Sequence, residues 1–265
     1  MRVVHIGTGA LPVAGNTGRS VEETIFHLTR HLAESGCKVD VVDVAAEDNH
    51  GTGDGVGHGV RFHRVWSPPL SGANLLSYFL KVIIFSLQVI PVLRKLSRER
   101  VDIVHAHSQF PAAAVLLARR LFGLKVPLVY TAHNPHLLTP ASLSGWLGHL
   151  LIEGWVLRRA DGVVTQTEAV GKVLAARFGL SERRTIQVYA GYDGAAVDEF
   201  LRHHPRKAAD SPLVLCPGII NPRKNQMALI ESAPAIKAAF PECRFVFPGK
   251  IDDPRYFGHL RHRTG

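Results

Sequence analysis

Short apolar runs alternate with longer stretches of helical period along most of the chain. The runs fall at Val3–Gly7, Lys38–Val44, Arg61–Val65, Ile103–His107, Leu128–His133, Gly162–Gln166 and Thr185–Val188. Several are continuous in Val and Ile rather than alternating, as in strands buried on both faces. Between them, Val21–Ser35, Leu75–Ser97, Ala112–Phe122, Leu143–Arg159 and Glu168–Phe178 carry apolar residues near helical spacing. In the first of these, Ile25, Leu28, Leu32 and Ala33 share a face, and Gly36 supplies a stop. Strands separated by helices predict an α/β chain with a doubly wound parallel sheet. The glycine-rich His50–Gly59 segment reads as a mobile loop.

The pattern restarts near residue 211. The stretch opening Ser211-Pro212-Leu213-Val214-Leu215-Cys216 reads as a strand, Gly218–Asn225 as a basic loop, and a helix-like run then leads to a second strand before Pro248-Gly249-Lys250. That is the opening βαβ unit of another α/β domain. A polar, basic, proline-broken linker at Arg202–Pro212 separates it from the first. We therefore expect a first domain over residues 1–205 and the start of a second over 206–265. One βαβ unit cannot cover both faces of a sheet, so the second domain is expected to be incomplete.

Composition narrows the class. Apolar residues make up 46% and charged residues 20% of 265, which fits a folded globular chain. The formal net charge of +9 favours anionic partners. The basic residues are dispersed along the chain, which argues against nucleic acid. Cys37, Cys216 and Cys243 show no paired spacing, which points to a reducing, cytoplasmic setting and away from a disulfide framework. The Leu75–Leu93 segment approaches the length that spans about 30 Å of hydrocarbon. Lys81, Gln88 and Pro91 interrupt it, and Arg94, Lys95, Arg98 and Arg100 follow it. This favours a core helix, or one lying on the inner membrane face, over a span.

Four stretches offer chemistry. Gly15, Asn16, Thr17 and Gly18 lead into a helix with Glu22 and Glu23 in its first turn. Such a loop either approaches an anion or sugar hydroxyl or is an ordinary strand-to-helix turn. His105 and His107 share a strand face, but no carboxylate or cysteine sits at metal-ligand spacing, so we expect no metal. His133 ends a strand at the crevice edge. It is either a buried, backbone-bonded histidine or a partner for a substrate hydroxyl or a phosphate oxygen. Gly218, Arg223, Lys224 and Asn225 follow a strand directly. They read as a diphosphate site at a helix N-terminus or as a solvated basic turn.

Taken in order, Asp102-x-x-His105-x-His107, Thr131-Ala132-His133, Ala160-Asp161-Gly162-Val163-Val164 with Thr167-Glu168, Gly191-Tyr192-Asp193 and Gly218 with Lys224-Asn225 resemble glycosyltransferase family 4. These are retaining enzymes of the GT-B fold. The resemblance implies two Rossmann-like domains, with a nucleotide-sugar donor in the cleft held mainly by the second. It also implies a glycan or lipid-linked acceptor held by the first domain, and no obligatory metal or cofactor. By the same resemblance, Gly15–Gly18 would lie near the donor phosphates and acceptor, His133 would line the sugar site, and Lys224 would hold the diphosphate. The chain departs from the pattern at Ile219, where the family usually has Arg and where Arg223 stands nearby. It departs again at Tyr189-Ala190-Gly191 in place of Pro-Asn-Gly, and at Arg19-Ser20 in place of paired glycines. The later Glu-x7-Glu segment that grips the donor has no counterpart within the 265 residues. A non-catalytic GT-B binding or partner module and a GT-B sugar-nucleotide epimerase are the other readings.

Overall fold

The computed structural model describes residues 1–15, 20–45, 59–68, 75–133, 143–204 and 211–264. Seven parallel strands form one sheet: β1 Arg2–Ile6, β2 Lys38–Val44, β3 Val60–Val65, β4 Ile103–Ala106, β5 Leu128–Ala132, β6 Gly162–Thr165 and β7 Thr185–Gln187. The helices between them are α1 Ser20–Glu34, α2 Leu75–Leu96, α3 Gln109–Phe122, α4 Leu143–Arg159 and α5 Glu168–Phe178. A second sheet pairs β8 Leu213–Leu215 with β9 Arg244–Val246, in parallel. Helices α6 Gly194–His203, α7 Gln226–Ala239 and α8 Pro254–Thr264 complete the chain. β8, α7 and β9 make the expected βαβ unit.

Strand order in the large sheet is β3-β2-β1-β4-β5-β6-β7. The chain builds outward from β1 in one direction and then restarts at β4 in the other. This reversal opens a crevice at the carboxyl ends of β1 and β4, where doubly wound sheets take their ligands. The two sheet faces are unlike. Val4, Ile6, Val104, Ala106, Tyr130 and Ala132 join Phe85, Val89, Leu93 and Val115 from α2 and α3 in the main core. The alternate residues of β1 and β2 face α1, where Val39 and Val41 pack with Val13 and Ile25. The same alternation puts His5, His105 and Thr131 on the face away from the main core.

The chain divides into two compact units, Met1–Tyr192 and Asp193–Gly265. The division falls before the Arg202–Pro212 linker because α6 is a capped helix grouped with the second unit. Asp193 accepts the Ala196 amide at 3.1 Å, and no residue of α6 is buried. The part of the expected loop over residues 50–58 lies outside the described residues. Helix α3 begins at Gln109, three residues before the apolar pattern predicts. Pro111 sits in its first turn, where a proline lacks no intrahelical hydrogen bond.

Candidate active site

The crevice at the switch point is lined by histidines. Parallel pairing sets His5 on β1 opposite His105 on β4, and His107 follows two residues later. Thr131 and His133 lie on and just past β5. His107 stands between two other imidazoles: its Nε2 is 3.2 Å from His5 Nδ1, and its Nδ1 is 3.0 Å from His133 Nε2. Gln166 Nε2 lies 3.2 Å from His133 Nδ1 and closes the outer end. His105 pairs instead with the Thr131 hydroxyl at 2.7 Å, and its ring centroid lies 4.1 Å from that of His107. His5 and His107 are buried, while His133 and Gln166 are half-buried.

Removing imidazoles from water disfavours the imidazolium. Burial therefore lowers His5 and His133 to about 4. Burial, reinforced by the neighbouring histidines, holds His105 and His107 well below the usual range. The cluster is neutral at physiological pH. Among the described residues, His5, His105 and His107 are also the group whose nitrogens could converge on a metal, lying within 4.8 Å of one another. Imidazole donors suit zinc or another borderline ion. The facing nitrogens of His5 and His107 are, however, engaged with each other.

The loop after β1 has its own polar support. Val13 N donates to Asp43 Oδ2 at 2.6 Å, and Thr8 Oγ1 donates to Glu22 Oε1 at 2.6 Å. Asp43 is buried, and burial raises its carboxyl to about 7. A side chain at Gly15 would meet the Phe26 ring at 2.7 Å, so this glycine allows the loop to lie against α1. Asn16, Thr17 and Gly18 lie outside the described residues.

The remaining candidates belong to the second unit. Asn221 caps a short 3₁₀ turn over Pro222–Lys224 by accepting the Lys224 amide at 3.2 Å. Asn225 takes the left-handed conformation at φ 51° and starts α7. Gly218 has φ 140°, and its open α-carbon faces the Lys224 side chain, which folds back over it. The amides of Lys224, Asn225, Met227 and Ala228 already have acceptors. Any anion here would therefore meet chiefly the exposed side chains of Arg223 and Lys224, not a ring of free N–H groups. No carboxylate pairs with Lys224 among the described residues.

The sequence patterns singled out His105, His107 and His133 but not His5, Gln166, Asp43 or the role of Glu22. A histidine inside the otherwise apolar Val3–Ile6 run was the available signal for His5.

A doubly wound sheet with polar groups at its switch point, followed by a second βαβ unit, is the plan of a GT-B glycosyltransferase. A family model described as Glycosyltransferase Family 4 matches residues 21–195, about two thirds of the chain. The chain belongs to glycosyltransferase family 4. EpsD of Bacillus subtilis, whose own glycosyltransferase assignment is provisional, is 29% identical over 162 residues. That match spans 56% of this chain and 41% of EpsD. Sucrose-phosphate synthase from Thermosynechococcus elongatus superposes with a TM-score of 0.71 at 17% identity, over 99% of this chain and 68% of that one. HepE of Anabaena, in complex with UDP, gives 0.60 at 15% identity, over 99% and 65%. α,α-Trehalose 6-phosphate synthase from Burkholderia multivorans gives 0.63 at 14% identity, over 100% and 68%. At these identities the structural likenesses establish the fold.

Proposed function

We propose that this chain serves in glycosyl transfer from a nucleoside-diphosphate sugar to an acceptor hydroxyl of a glycan or lipid-linked molecule. The observation that carries the reading is family 4 membership over residues 21–195. The chemistry of two loops supports it. Cleavage of the donor's glycosidic bond builds negative charge on the leaving diphosphate, and a cation aimed at that charge lowers the barrier. Lys224, exposed, without a carboxylate partner among the described residues and folded over Gly218, is the residue we assign to this task, with Arg223 beside it. The neutral histidines at the switch point offer hydrogen bonds without charge, which suits sugar and acceptor hydroxyls. The reading calls for no cofactor. Calorimetric titration of the chain with UDP and other nucleoside diphosphates at low salt tests it. Binding is expected to weaken with salt and with Lys224→Ala, and radiolabel from one member of a sugar-nucleotide panel is expected to reach an acceptor. Absence of diphosphate binding at low salt would sink the donor assignment. Binding without transfer to any acceptor would favour the binding-module alternative.

We further propose that the first unit attaches peripherally to an anionic membrane surface. Helix α2 is long and apolar enough to cross a membrane by length and composition, with mean hydropathy 1.9 over its most apolar 18 residues. Its inner face is occupied, because Val82, Phe85, Val89 and Leu93 are buried. Its outer face exposes Leu76, Leu80, Ile83 and Leu87 at 4-3-4 spacing, then Arg94 on the same line, and the exposed Arg98 follows just past its end. Leu117, Leu121 and Phe122 of the adjacent α3 are exposed as well, with the Arg94 guanidinium 5.0 Å from the Phe122 ring centroid. An apolar stripe ending in cations fits the interface of an anionic bilayer.

A further inference from the structure

The hydrogen bonds around His133 constrain more than the position of its ring. A neutral imidazole carries one N–H and one bare nitrogen, so the donor at one end of a histidine chain fixes every tautomer along it. In the orientation its amide takes, Gln166 turns Nε2 towards the ring and donates, so His133 Nδ1 accepts, 3.2 Å away. His133 Nε2 then holds the proton and donates to His107 Nδ1 over 3.0 Å. His107 Nε2 in turn donates to His5 Nδ1 over 3.2 Å. His105 stays outside the chain, stacked on His107 and bonded to Thr131.

We propose that Gln166, His133, His107 and His5 form one directional relay, in which Gln166 is the positioning residue. The relay holds all three imidazoles as Nε2–H tautomers, ends inward on a buried His5 Nε2–H that has no hydrogen-bond partner among the described residues, and presents a bare Nδ1 of His133 at its half-buried outer end. Both ring nitrogens of His133 are engaged, so a ligand reaches this ring by taking the place of the Gln166 amide. A bare nitrogen accepts from a hydroxyl and repels an anionic oxygen. On the glycosyl-transfer reading above, on which this last step rests, His133 is therefore a hydroxyl acceptor for a sugar and not a phosphate contact. The depressed affinity of these buried rings for protons agrees with a neutral relay.

Nitrogen-15 spectra of the histidine side chains in the full chain test the relay, because bare and protonated ring nitrogens resonate far apart. The wild type is expected to show bare Nδ1 and protonated Nε2 at His5, His107 and His133. In Gln166→Glu the carboxylate accepts in place of the amide, and all three rings are expected to invert to Nδ1–H. Gln166→Met, which neither donates nor accepts, is expected to give mixed tautomers at His133. Nδ1–H rings in the wild type, or an unchanged Nε2–H pattern at His107 and His5 in Gln166→Glu, overturn the relay. Titration with D-glucose and, separately, inorganic phosphate tests the ligand class. Glucose is expected to shift His133 Nδ1 and phosphate to leave it unmoved. A phosphate response without a glucose response overturns the hydroxyl assignment. Silence to both overturns its link to glycosyl transfer while the tautomers decide the relay separately.

Discussion

At the scale of single residues, the crevice concentrates groups whose protonation is coupled to folding. His5 and His133 sit at about 4 in the native state, against 6.5 for an exposed imidazole. The unfolded chain therefore binds protons that the native chain refuses. Their stabilisation is complete above pH 6.5 and is lost as the pH falls towards 4, with His105 and His107 acting in the same direction. Each such ring costs up to about 1.4 kcal/mol per pH unit in that window. Asp43 acts oppositely: raised from 3.8 to about 7, it stabilises at low pH and loses that contribution as the pH climbs through 7. Four imidazoles against one carboxyl predict net acid lability, to be measured by urea denaturation from pH 7.5 to 4.5. His5→Phe is expected to flatten the loss and Asp43→Asn to steepen it, each by about 1.4 kcal/mol per pH unit. Strand-end motifs made three of the four histidines legible in the sequence. Gln166 and the His5–His107 contact were not legible, because they depend on which strands are neighbours, and periodicity carries no information about order across a sheet.

At the scale of elements, periodicity read the first sheet closely because its inner strands β1 and β2 are buried on both faces and its helices α1, α2 and α3 each bury one. It missed α6 and α8, which bury little: Asp193 caps the first, and Asp253 accepts the Arg255 and Tyr256 amides in the second. Local capping organises such helices more than an apolar stripe does. In the βαβ unit, the loops Pro217-Gly218 and Pro248-Gly249 press together, with Gly218 N donating to Pro248 O at 2.9 Å. A β-carbon on Gly249 would run into the Gly218 carbonyl, so Gly249→Ala is expected to force the loops apart. A loss of about 1–3 kcal/mol in the second unit follows, comparable to overpacking a core, and would appear as faster proteolysis of residues 211–264. Helix α2 carries a separate prediction. Leu80→Glu together with Leu87→Glu alters only exposed positions, so the melting temperature is expected to hold. Sedimentation with phosphatidylglycerol vesicles is expected to drop at least tenfold, and high salt should release the unaltered protein. Unchanged sedimentation of the double variant would show that the stripe does not meet lipid.

At the scale of the whole molecule, the two units differ sharply in how much they bury. The first holds nearly all of the described apolar core, whereas Ile220, Cys243 and Leu260 are the buried apolar residues described in the second. Leu213, Leu215 and Val246 remain exposed on β8 and β9. Apolar burial is the main favourable term in folding, so the second unit should open far more readily than the first. This difference makes hydrogen exchange a test of the donor site as well as of stability. In the free chain, amides of β8 and β9 are expected to exchange orders of magnitude faster than those of β1 and β4. A ligand that binds only a folded unit adds stability by mass action, about 2.7 kcal/mol at 100 times its dissociation constant. If Lys224 and Arg223 hold a nucleoside diphosphate, saturating UDP should slow the second unit's amides by roughly 100-fold and lose that effect in Lys224→Ala. Amides around His5 and His107 should keep their rates with UDP alone, since the diphosphate reading assigns them no anionic contact. Protection of the histidine strands in place of β8 and β9 would move the donor phosphates to the first unit and leave Lys224 a solvated lysine.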